Sequence, residues 1–105
     1  MKTIKVIHTP ENGNRTTEIF EANSVIITEG YLPEILPGMR SDLLFHGEFD
    51  ARTFGTKMQE EKSSHYWVIM MYLDGVPYLA GLNSKVYVMT DGKTVSSHES
   101  IYVEF

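Results

Sequence analysis

The sequence predicts a mainly β protein, a small antiparallel barrel or sandwich of six to eight short strands with one short helix near 51–62. Three observations carry this. Val, Ile, Thr, Tyr, Phe and Trp supply 37 of the 105 residues whereas Ala occurs three times, a balance that favours extended chain over helix. Asn12-Gly13, Asp74-Gly75 and Asp91-Gly92 are pairs that tolerate the positive φ angles of tight hairpins. Apolar residues in the segments between them alternate with polar ones or form short runs, with little of the three-to-four spacing of helices. An α+β arrangement, the helix lying on an open antiparallel sheet, is the alternative architecture.

Taken in order, Lys2 to His8 reads as a strand, and Pro10-Glu11-Asn12-Gly13-Asn14 as the hairpin that returns Arg15 to Glu21 antiparallel to it. Ser24 to Thr28 either continues that strand through a bulge or begins another. Gly30, Pro33, Pro37 and Gly38 break the pattern from Glu29 to Arg40, which predicts a loop with one helical turn at Pro33 to Leu36. Leu43 to Asp50 alternates as a strand. Ala51 to Lys62 is the helix candidate, with Asp50 as N-cap and Phe54 and Met58 paired at i, i+4. Tyr66 to Leu73 and Val76 to Ala80 flank Asp74-Gly75, and Pro77, which has no N–H to give a ladder, marks an edge or bulge. Lys85 to Thr90 and Lys93 to Ser97 flank Asp91-Gly92, and Ile101 to Phe105 is a last strand. If the sheet is open, the Pro77 strand or the first strand is its exposed edge.

A chain of 105 residues with no linker or low-complexity segment reads as one domain, 1–105. Without cysteine there is no disulfide, thiolate metal site or cysteine nucleophile. The longest apolar run, Trp67 to Leu73, is seven residues, against roughly 20 for a membrane helix. The N-terminus lacks the long apolar stretch of a signal peptide. The expectation is therefore a cytoplasmic chain with no membrane partner. Nine scattered cations against 14 acids, a net charge of −5, argue against nucleic acid, which needs clustered Lys and Arg.

Two constellations bear on chemistry. On a strand, His46, Glu48 and Asp50 share one face about 7 Å apart, and with His8, His65 or His98 as a further ligand they could hold a divalent metal. The simpler reading is a solvated face opposite Phe45 and Phe49, with no cofactor. Ser97, His98 and Glu99 supply the residue types of a hydrolytic triad, but neighbours on a strand point to opposite faces, and triad members normally meet from distant positions. The other conspicuous feature is aromatic: Tyr31, Tyr66, Trp67, Tyr72, Tyr78, Tyr87 and Tyr102, most of them on predicted strands, could form a contact surface.

The favoured reading is a noncatalytic interaction module, an accessory or inhibitory protein of the kind mobile elements encode, acting through a tyrosine-bearing sheet face and the 29–40 loop. Its partner is a protein, and an exposed sheet edge favours a homodimer. A small-molecule-binding β protein is the first alternative. A metal-dependent enzyme using His46, Glu48 and a second histidine is the second.

Overall fold

A computed structural model describes residues 1–9, 13–35, 44–46, 65–80 and 83–102, apart from the side chains of 44–46 and 102. The helix expected at 51–62, the 43–50 strand beyond Leu44–His46 and the last strand beyond Tyr102 fall outside these residues.

The elements are β1 (Lys2–His8), β2 (Thr16–Ala22), β3 (Val25–Tyr31), α1 (Leu32–Ile35), β4 (Leu44–His46), β5 (Tyr66–Leu73), β6 (Val76–Ala80), β7 (Ser84–Thr90) and β8 (Lys93–Tyr102). They form one sheet in the order β2-β1-β7-β8-β5-β6-β4, with β3 also on β5. The sheet is mainly β in the sense expected, and it curls into a half-barrel. Every described pairing is antiparallel except β4 with β6, which is parallel.

Two hairpins follow from their turn residues. Asp74 and Gly75 have φ of 50° and 83°, and Asp91 and Gly92 have φ of 52° and 77°. Positive φ at both central residues is the type I′ turn, whose twist matches that of the flanking strands. The first hairpin is as expected, β2 returning antiparallel to β1 with registers from Lys2 opposite Ala22 to His8 opposite Thr16.

The question left open at Ser24 is resolved in favour of a new strand. Ala22 ends β2 as a buried residue, and β3 leaves β1 to pair with β5. The corner between them is tied to the β5–β6 turn. Asp74 Oδ1 accepts the backbone N–H groups of Asn23 at 3.0 Å and Ser24 at 2.8 Å, and the Asp74 N–H donates to the Ser24 carbonyl at 2.9 Å.

Strand β8 makes the curl. Its residues from Lys93 to Ser100 pair with β7, then Ile101 and Tyr102 pair with β5. The strand expected at Lys93 to Ser97 therefore runs on through His98 to Tyr102. Val88 pairs with Ser96 and Met89 with Thr94, leaving Val95 without an opposite residue. That is a β-bulge, which bends a strand and increases its twist.

Strand β5 is the hub. Trp67 pairs with Tyr31 of β3 and with Ile101 of β8, so those strands lie on its two edges. Most of it is buried on both faces, because alternation sends its residues to two cores. Ile69, Met71 and Leu73 join Ile4, Val6, Ala22, Ala80 and Val86 inside the curl. Val68 and Met70 join Tyr66, Leu79 and Leu32 on the other face, with Ile35 of α1 packed against them.

The first strand is not an edge: β1 lies between β2 and β7. The 29–40 segment begins as strand rather than loop, since β3 runs to Tyr31, and α1 (Leu32–Ile35) is the helical turn expected there, begun one residue earlier. Gly30 lets that helix pack close, because a Cβ there would stand 2.8 Å from Ile35 Cδ1. Pro77 sits opposite Tyr72 on β5, and the described pairing of β6 with β4 begins only at Tyr78, so no ladder bond to β4 is asked of its ring nitrogen.

Candidate functional site

Among the described residues an open groove of about 410 Å³ lies where β8 passes from β7 to β5. Trp67 and Tyr87 supply aromatic rings, Lys85 a cation, and Glu29, Glu99 and His98 the remaining titratable groups. Ser97 and Ile101 complete its lining.

The β7–β8 register builds half of it. Lys85 lies opposite Glu99 and Tyr87 opposite Ser97, and residues directly opposite each other on a pair of strands share a face. His98 lies opposite Val86, a residue of the inner core, and so points the other way. The second half comes from β5 and β3. Trp67 stacks edge-on against Tyr31 with ring centroids 5.0 Å apart, which fixes the indole at the rim. A second recess of about 300 Å³, lined by Thr9 and Asn83, shares Lys85 and Glu99 with the groove.

His98 is held from both sides. Nε2 is 3.1 Å from Ser96 Oγ, two residues away on the same strand face. Nδ1 is buried and 3.1 Å from Glu29 Oε2, an ion-pair distance without the alignment of a hydrogen bond. Ser96, His98 and Glu29 stand in the order of a serine–histidine–acid relay, but Ser96 is not part of the groove's lining. What the arrangement does is orient the imidazole and hold Glu29 at the groove. The sequence trio Ser97, His98, Glu99 is divided, His98 on one face of β8 and its neighbours on the other.

A separate polar cluster is internal. His8 Nδ1 is 3.3 Å from Ser84 Oγ, and the Ser84 N–H donates to Ser100 Oγ at 3.1 Å. Both serines are fully buried. This cluster ties β1, β7 and β8 together.

The aromatic residues expected to share a face fall into three places. Tyr66 and Tyr72 belong to the core beside α1. Tyr78 packs into the inner core, its ring 5.7 Å from Phe20. Trp67 and Tyr87 line the groove, with Tyr31 packed edge-on against Trp67, and the Tyr102 side chain lies outside the described residues. Of the metal candidates, Glu48 and Asp50 are outside them, as is the His46 side chain; His65 is half-buried just ahead of β5. Among the described residues, no three His, Asp or Glu side chains gather to hold a metal ion. Among them, too, no helix is long and apolar enough to cross a membrane.

Sequence reasoning passed over Glu29, Lys85 and Ser96. Glu29 was hidden because the glycine and prolines after it read as the start of a loop. No family model, curated protein or solved structure matches the chain.

Proposed function

We propose that the chain is a noncatalytic protein-interaction module that seats a basic side chain of its partner in the Trp67–Tyr87 groove. One observation carries this: two aromatic rings and two carboxylates, Glu29 and Glu99, converge on one open groove. A guanidinium or ammonium group over an aromatic face gains about 0.5–2 kcal/mol, and an arginine adds charge-assisted hydrogen bonds to carboxylates. Lys85 opposes this, so the groove sets two carboxylates against one lysine. The net charge of −5 favours encounter with a basic surface at long range.

The cellular role that goes with this reading is accessory or inhibitory, in the cytoplasm, of the kind mobile elements encode: a small acidic chain acting by covering a basic surface. The contact surface we propose is narrower than a general tyrosine face. Of the 29–40 segment it uses Glu29 and, through its support of Trp67, Tyr31.

Trp67 is the chain's single tryptophan, so its emission reports on the groove. Titration with a short capped arginine peptide should change that emission saturably, and the same peptide with citrulline, the neutral isostere, should bind at least tenfold more weakly. Glu29→Gln with Glu99→Gln should abolish the preference. Equal binding of the two peptides, or a preference untouched by the double substitution, refutes the proposal.

A further inference from the structure

The groove does not end at Lys85. The recess lined by Thr9 and Asn83 shares Lys85 and Glu99 with it, so the two form one continuous surface. Along β7 the order is plain: Tyr87 belongs to the groove, Lys85 to both, and Asn83, just ahead of the strand, to the recess. Lys85 and Tyr87 are two residues apart on one face of the strand, about 7 Å. An extended peptide has the same repeat, its side chains at i and i+2 pointing one way about 7 Å apart. A segment that lowers an arginine into the groove and runs along β7 therefore carries the residue two places away over the recess. At about 300 Å³, the recess has room for a side chain.

Resting on the arginine groove already proposed, we infer that the partner presents its arginine on an extended segment and that the recess takes a carboxamide, Asn or Gln, two residues from it. The lining decides between side-chain chemistries. Thr9 and Asn83 are polar, and Lys85 and Glu99 set one cation and one anion opposite each other. Among the described residues no ion pair joins those two. A lysine or arginine in the recess satisfies Glu99 but meets Lys85, and a carboxylate does the reverse. An apolar side chain takes water from both charges and returns no hydrogen bond, which is unfavourable. A carboxamide has two N–H donors and a carbonyl acceptor, so it donates to Glu99, accepts from Lys85 and brings no charge of its own. Hydrogen bonds with one ionised partner are the stronger kind. The Asn83 amide and the Thr9 hydroxyl each both donate and accept, and so match what the guest amide has left over.

The test is a set of capped pentapeptides titrated against Trp67 emission. Arginine stands at the centre, and glutamine at both i−2 and i+2 covers either chain direction. This peptide should bind roughly fivefold more tightly than its counterpart with leucine at those two places, the scale of a net hydrogen bond. Glutamate there should bind no better than leucine, and glutamine moved to i−1 and i+1 should lose the gain. Asn83→Gly suits the φ of 61° at that position; combined with Thr9→Val it should cut the gain to under about twofold, circular dichroism checking that the variant is folded. Equal binding of the glutamine and leucine peptides overturns the inference, as does a gain that survives the shift to i−1 and i+1 or the double substitution. Citrulline at the centre separates the two readings. An arginine preference without a glutamine gain overturns the carboxamide alone, whereas equal binding of arginine and citrulline overturns the groove and this inference with it.

Discussion

Replacing Asp74 by alanine should cost about 2–3 kcal/mol of stability, although the side chain is exposed and belongs to no core. Its carboxylate accepts two backbone N–H groups, from Asn23 at 3.0 Å and Ser24 at 2.8 Å. A side chain that caps an orphan N–H in a water-exposed setting contributes about 1 kcal/mol, so two such bonds give about 2. Asp74 also sits at φ 50°, where a residue with a Cβ pays about 1–2 kcal/mol and aspartate pays less than alanine. Asp74→Asn keeps an acceptor oxygen and tolerates that φ, so it should lose about 1 kcal/mol; Asp74→Gly relieves the φ but loses both bonds and should fall between. Urea unfolding followed by Trp67 emission measures all three. With a slope of about 1–3 kcal/mol per molar urea, the alanine midpoint should drop by roughly 1–2 M. A loss under about 0.5 kcal/mol for alanine, or equal losses for alanine and asparagine, refutes the view that this carboxylate fixes the β2–β3 corner.

Three further substitutions probe other links. Ser100→Ala removes the acceptor of the buried Ser84 N–H and should cost about 1–3 kcal/mol in the same urea assay, the scale for an unsatisfied buried donor. Gly30→Ala brings a methyl to 2.8 Å from Ile35 Cδ1, the tip of a half-buried side chain that can shift, and should destabilise by about 1 kcal/mol or less, the low end of overpacking; Ile35→Val removes that Cδ1 and should recover part of the loss in a double-mutant cycle. Lys85→Gln takes a cation out of the groove and should tighten arginine-peptide binding roughly two- to fivefold, an effect that shrinks with added salt as expected for an exposed charge.

Most of the fold was legible because its signals are local. Tyr66 to Leu73, the Asp74-Gly75 turn and Val76 to Ala80 can be read directly, since an apolar run, a turn pair that accepts positive φ and a second run specify one hairpin. The candidate site was not legible, and the reason is register. A two-residue turn at Asp91-Gly92 puts Thr90 opposite Lys93 and, counted regularly, Lys85 opposite His98. Val95 is bulged out, so Lys85 lies opposite Glu99 instead. A one-residue shift changes the face of every side chain beyond it, and Val95, a strong strand former, carries no sign of a bulge. Glu29 was hidden for a different reason. Gly30 and Pro33 look like breakers in sequence, yet Gly30 continues β3 while making room for Ile35, and Pro33 stands in the first turn of α1, where a missing N–H costs nothing.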